Sequence, residues 1–270
     1  MNGEEAPVDE LIVTRQREQI FEIVLNRPDK RNAINLEMYA QLEAAVGEAA
    51  RAADARAVLL RGEGKLFSAG IDVTIFMLLA QRYGENWQQQ MRSITASFQA
   101  VLNKLEQLER PTIALLHGRC LGLGLEVALA CDIRIAAEGT LLALPETRLG
   151  IIPDVGGTTR LVRLIGPGRA KELIFTGREI DAAQAAAWGL VNHVVPAGEL
   201  LARGEALAAE IAAAAPLAVG MAKRVIDGGA DLARGLQLEG WAQSQLFQTD
   251  DFMEAVQAFM ARRPPEFKGK

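Results

Sequence analysis

Leu121-Gly122-Leu123-Gly124-Leu125-Glu126-Val127-Ala128-Leu129-Ala130-Cys131-Asp132 is the stretch on which the fold of this chain turns. From Leu121 to Cys131 every residue is apolar or glycine except Glu126. An unpaired buried charge is costly, so a carboxylate in such a run is normally paired, protonated or removed. The glycines on its N-terminal side suggest a turn that opens a buried helix, with Glu126 on the first helical turn. Upstream, Thr112-Ile113-Ala114-Leu115-Leu116 is a short apolar run ending at Gly118, which suggests a buried strand. Before it, Met91, Ile94, Phe98, Val101, Leu102, Leu105 and Leu108 recur three or four apart, the spacing of a helix that stops at Arg110-Pro111.

The same grammar stands once more toward the N-terminus. Arg17 to Asn26 alternates around Ile20, Glu22 and Val24 and predicts a strand closed by Arg27-Pro28-Asp29. Asn35 is placed to cap a helix over Leu36 to Ala53, and Ala57-Val58-Leu59-Leu60 predicts a strand ending near Gly62. A third round begins at Asp132-Ile133-Arg134-Ile135-Ala136. Strand and helix units repeated this way predict an α/β protein coiled from similar turns. From about Ala202 the chain is Ala-rich and helical, broken at Pro216 and Gly228-Gly229, so residues 1–201 are expected to form the core and 202–270 a helical appendage.

With 270 residues, half of them hydrophobic, the chain can bury a large core. A formal net charge of −5 gives no general attraction to nucleic acid or acidic membranes. The acidic opening MNGEEAPVDE has no apolar signal core and no apolar run approaches a membrane span, so a cytoplasmic protein is expected. Cys120 and Cys131 lie in apolar runs and are expected to be inert; His117 and His193 sit in no metal-ligand or triad motif, and no metal site is expected.

Two glycine turns follow parallel-type strands: Phe67-Ser68-Ala69-Gly70-Ile71-Asp72 and Gly122-Leu123-Gly124. Unsatisfied amides at such turns can converge on one oxygen as an oxyanion hole; equally, the glycines can serve only tight packing. Gly118, Gly122 and Gly124 do not fit the dinucleotide-binding spacing. Glu146, in Leu144-Pro145-Glu146, and Asp154, in Ile152-Pro153-Asp154-Val155-Gly156-Gly157, are further acids at apolar junctions. Buried carboxylates near one another acquire raised, split pKa values suited to proton exchange, whereas a cap or turn role is the plainer reading, above all for Asp154.

Taken in order, Asn26-Arg27-Pro28, Asn32-Ala33-Ile34-Asn35, Phe67-Ser68-Ala69-Gly70-Ile71-Asp72, His117-Gly118 through Gly122-Leu123-Gly124-Leu125-Glu126, Cys131-Asp132-Ile133, Pro145-Glu146, Leu149-Gly150-Ile151-Ile152-Pro153, Gly156-Gly157-Thr158 and Thr176-Gly177 resemble the crotonase (enoyl-CoA hydratase/isomerase) superfamily. The resemblance runs from about Leu11 to Lys268. It implies a spiral of ββα units with a C-terminal helical trimerisation region, assembled as a trimer or hexamer, acting on an acyl-CoA with no separate cofactor. It also implies that the amides of Ala69 and Leu123 hold the thioester oxygen. Glu126 and Glu146 would share one water, Glu146 exchanging a proton at Cα and Glu126 activating the water for Cβ. Arg31, Ala33, Ala69, Gly70, Ile71, Asp72, Leu123, Phe267 and Lys268 fall at substrate or CoA positions of the family.

Three places depart from the family pattern. Leu123 stands in a turn usually written with three glycines, and Val73 to Leu79 is unusually apolar, suited to lining an acyl pocket or packing under a lid. Asp154 stands where hydratases commonly have glycine and where double-bond isomerases of the family carry an acid. Hydration of a 2-enoyl-CoA is therefore the leading expectation. Isomerisation by Glu146 and Asp154 is the alternative, and a non-catalytic scaffold of the same fold is a third.

Overall fold

The computed structural model describes residues 10–84, 86–229 and 231–270. The acidic opening MNGEEAPVDE lies, but for Glu10, outside the described residues.

The chain begins with a hairpin of β1 (Ile12–Arg17) and β2 (Ile20–Leu25), turned at Glu18, whose φ is 49°. Only the second of these strands was legible, because β1 ends in polar residues at the sheet edge. The expected alternation in β2 does not divide two faces: Phe21 to Leu25 are all buried. Glu22 stays inside by accepting from Arg61 Nε at 2.6 Å, with Arg15 at 3.7 Å. Asn35 caps α1 (Leu36–Arg51) as expected, accepting from the Met38 amide at 2.8 Å. There follow β3 (Ala57–Gly62), α2 (Thr74–Tyr83), α3 (Met91–Glu106), β4 (Thr112–Leu116), β5 (Arg119–Leu121) and α4 (Leu123–Leu129). The third round is β6 (Ile133–Ala137), β7 (Leu141–Ala143) and α5 (Gly157–Thr176), the last broken at Gly166-Pro167 where φ is 76°.

After β8 (Ile180–Asp181), α6 (Ala182–Trp188) and β9 (His193–Val195), a six-stranded sheet is complete in the order β1-β2-β3-β4-β6-β9, parallel from β2 onward. Each turn of the coil also gives one short strand to a second layer: β5, β7 and β8 pair there, and Ser68 bridges Cys120 while Ile71 bridges Ile34. The fold is thus the expected α/β spiral of ββα units.

The central strands are apolar throughout because both faces of the main sheet are covered. Val58, Leu60, Ala114 and Leu116 belong to the large core with α1, α3, α4 and α5. Leu59, Ile113, Leu115 and Ile135 face α7 (Leu200–Ala212), which seats Leu200 and Ala208 on the sheet. Gly204 allows that close approach, since a Cβ there would lie 2.7 Å from Leu115 Cδ2. Beyond it α8 (Pro216–Gly228), α9 (Leu232–Leu246) and α10 (Asp250–Ala261) form the C-terminal helices. α8 is tied to the N-terminal ends of the strands, with Lys223 Nζ 2.8 Å from Asp132 Oδ2. No single helix among the described residues is long and apolar enough to cross a membrane.

Candidate active site

The strands β3 and β4 run parallel, so the turns leaving their C-terminal ends meet. Gly70 and Gly122 touch there: a Cβ on Gly70 would lie 2.8 Å from the Leu121 carbonyl and 3.6 Å from Gly122 Cα. Gly122 has φ 50° and ψ −128°, a conformation open to glycine and strained for other residues.

Ala69, expected to donate to an oxyanion, does not. Its amide is committed to the Arg31 carbonyl at 2.9 Å, because residues 69–72 pair with residues 31–34 on that side. Ile34 likewise donates to Gly70 O and Asp72 to Ile34 O, both within the Ile34–Ile71 bridge, and that register turns the Ile71 amide the other way. Among the described residues the amides of Ile71 and Leu123 have no acceptor. They flank the touching glycines and are two amides of these turns left without an acceptor. Which amide of this turn is free follows from its partner strand, the one signal that would have found Ile71.

Glu126 is only 2% exposed. Its Oε1 accepts the amides of Val155 and Gly157, each at 2.8 Å. Burial pushes its pKa up to about 8; the Gly157 amide opposes the rise, and the charges of Glu146 and Asp154 add to it. Glu146 follows β7 and Pro145 on a 3-10 turn, Glu146–Leu149. Burial raises it to about 7, its own backbone amide opposing and Asp154 adding. One of its oxygens, Oε2, is buried without a partner among the described residues. Glu146 Oε1 lies 2.8 Å from where a Cβ on Gly122 would stand, and Glu126 Oε1 3.0 Å from one on Gly157. Both carboxyls therefore press on glycines that only a missing side chain leaves open.

Asp154 stands close enough to act on both glutamates, and one of its carboxylate oxygens and its carbonyl are held by α3. Its Oδ2 accepts the Thr95 hydroxyl at 2.6 Å, and its carbonyl accepts Gln99 Nε2 at 2.6 Å.

The other expected binding residues divide. Asp72 bonds Arg27 at 2.6 Å and the hydroxyl of Thr74 at 2.7 Å; the Arg27 bond first and the Thr74 bonds next hold its carboxyl down at about 2. Arg27 also donates to the Ala33 carbonyl, so this pair braces the turn. Arg31 is exposed, in the left-handed region at φ 56°. Leu123 sends its added side chain into the main core. Phe267 and Lys268 are not brought to the carboxyls within the chain. Lys268 and Gly269 donate to the Asp251 carboxylate, and Phe267 O accepts from Arg56, at the N-terminal end of β3 and so at the opposite end of the sheet. The cause is α8, which anchors the tail's helices to that end.

The apolar stretch from Val73 becomes α2, with Ile75 and Leu79 buried and Val73, Met77 and Leu78 exposed. Burial pushes the thiols of Cys120 and Cys131 up, the latter to about 12, and pulls His117 down while its Nε2 lies 3.1 Å from Gly64 O.

One buried and one half-buried carboxyl beside a pair of unpartnered amides on a ββα spiral make up the candidate site. The family profile described as enoyl-CoA hydratase/isomerase matches residues 15–270. The chain belongs to the enoyl-CoA hydratase/isomerase family. It is 43% identical, over 97% of its length and 99% of the relative's, to the Bacillus subtilis chain provisionally named enoyl-CoA hydratase/isomerase YngF. It is 39% identical to enoyl-CoA isomerase/hydratase fer4 of Mycosarcoma maydis, covering 93% of each chain. The crystal structure of enoyl-CoA hydratase from Bacillus anthracis superposes with a TM-score of 0.89 at 40% identity, over 96% of this chain and 100% of that one.

Proposed function

We propose that this chain hydrates 2-enoyl-CoA thioesters. The observation that carries the reading is the glutamate pair: Glu126 is buried and Glu146 half-buried, both are raised in pKa, and the charge of Glu146 adds to the rise of Glu126, beside the Ile71 and Leu123 amides. The amides receive the thioester oxygen as negative charge develops on it, an effect worth roughly 2.7–4 kcal/mol of barrier per donor. Between about pH 7 and 8 the two carboxyls together hold about one proton. In the reacting form the shared proton sits on Glu146 and Glu126 is ionised: the water oxygen bonds to Cβ as its proton passes to Glu126, Glu146 gives its proton to Cα, and proton exchange within the pair restores the start. Glu126 is fixed by two amides and so orients the water, while Glu146 has an oxygen free to serve Cα.

Asp154 supports the isomerase alternative by its effect on both glutamates. The Thr95 bond instead makes its carboxylate a loop anchor. Self-association as a trimer or hexamer is part of the proposal, supported by apolar side chains left bare on the last helices, such as Phe259 at 85% and Met260 at 81% exposed. Phe267 and Lys268 then serve CoA from a neighbouring subunit. Product analysis with a 2-enoyl-CoA and a 3,5-dienoyl-CoA on one preparation tests the reaction. A 3-hydroxyacyl-CoA is expected from the first; turnover of the dienoyl substrate alone overturns the hydratase reading.

A further inference from the structure

Thr95, Gln99, Asn103 and Glu106 lie on one face of α3, spaced four, four and three residues apart. All four grip residues 154–160. Thr95 donates to the Asp154 carboxylate and Gln99 to its carbonyl, each at 2.6 Å. Asn103 Oδ1 accepts Arg160 Nη2 at 2.6 Å, and Glu106 Oε2 accepts Arg160 Nη2 at 2.8 Å and Nε at 3.1 Å. Arg160 is buried, and its remaining Nη1 donates to the Val155 carbonyl at 3.1 Å. The amides of Val155 and Gly157 are the two that hold Glu126. Between them Gly156, at φ 113°, leaves the space for the guanidinium: a Cβ there would stand 1.9 Å from Arg160 Nη1. A planar fork gripped at three points is a rigid brace, which an ammonium cannot reproduce.

We propose that Arg160 is a positioning residue: clamped to Asn103 and Glu106 of α3, it fixes the Val155 and Gly157 amides on Glu126 and so sets the orientation of that carboxylate. Arg160 acts through the backbone and touches neither substrate nor reacting atoms. The catalytic half of this inference rests on the hydratase reading, whereas the structural half does not. The ionisable groups acting on Glu126 are Glu146 from its 3-10 turn and Asp154 from the loop, and the Tyr39 hydroxyl from α1 feels the charges of both Glu126 and Arg160 of α5. Amide bonds to a carboxylate favour its ionised form, so loosening them raises its pKa further.

The test is a ¹³C NMR titration of glutamate-labelled protein, the Glu126 signal being assigned by its loss in Glu126→Gln, together with hydration kinetics. Arg160→Met is expected to move the Glu126 midpoint up by roughly half a pH unit or more. It should lower kcat about tenfold or more with KM for the 2-enoyl-CoA nearly unchanged. Arg160→Lys keeps the charge without the fork and should fall between wild type and Arg160→Met. Glu106→Gln, far from the chemistry, should shift the titration the same way by less, and decides the matter if Arg160→Met does not fold. A wild-type midpoint in Arg160→Met overturns the proposal. So does a wild-type midpoint in Arg160→Lys, which would reduce the effect to charge, or one in Glu106→Gln when the Met variant is unfolded. If the wild-type enzyme fails to hydrate while the Glu126 shifts appear, the hydratase reading falls and the positioning role stands.

Discussion

Replacing Glu126 by Gln removes a proton-binding group whose acidity folding changes strongly. Its pKa rises from the ordinary 4.5 to about 8, chiefly because burial strips water from the ionised form. Between those values the folded state binds more protons than the unfolded state, so this residue makes stability fall as pH rises through that window. At about pH 7 the linkage covers about 2.5 pH units at ~1.4 kcal/mol each, a penalty on the order of 3 kcal/mol. Gln keeps the oxygen that accepts from Val155 and Gly157 and carries no charge. Glu126→Gln should therefore be more stable than wild type by roughly 1–3 kcal/mol at about pH 7–8, a Tm higher by about 3–10 °C, with the gap closing toward about pH 5. Thermal unfolding of both proteins across a pH series measures the difference, in which titrating groups that do not interact with Glu126 cancel. A gap independent of pH would show that Glu126 does not titrate in this window and refute the burial argument.

Gly122→Ala places a methyl group 2.8 Å from Glu146 Oε1 on a backbone at φ 50°. Strain of about 1–3 kcal/mol should lower the Tm, and displacement of Glu146 should lower kcat at least ~10-fold; unchanged kinetics would remove Glu146 from the reacting centre. Arg134 donates to the carbonyls of Leu190, Cys131, Ala128 and Asp132 from within the core. Arg134→Met removes these four bonds from the core, and denaturant unfolding should show a loss of ~3 kcal/mol or more. Truncation before Pro264 should weaken CoA binding at low salt and progressively less at high salt; equal affinity across the salt series would take the tail out of the site.

The helix bearing Glu126 was legible because two glycines and one charge interrupt an apolar run, and the central strands because burial on both faces makes them apolar throughout. The short second-layer strands were not, since β5, β7 and β8 span two or three residues and carry no period. The glutamates could be named from their setting in the chain, but the Val155 and Gly157 amides that hold Glu126 come from 29 and 31 residues away. Arg160 gave no signal for the same reason: its anchor Glu106 is 54 residues distant. The position of Lys268 depends on where α8 docks, which no local pattern encodes.

Hydration of one 2-enoyl-CoA, measured side by side for Glu126→Gln, Glu146→Gln and Asp154→Asn, tests most directly whether two glutamates handle one water. Both Gln variants are expected to lose roughly 10²–10⁴-fold in kcat, with Asp154→Asn staying within about threefold of wild type. Loss of the principal activity in Asp154→Asn with Glu126→Gln spared would contradict the account.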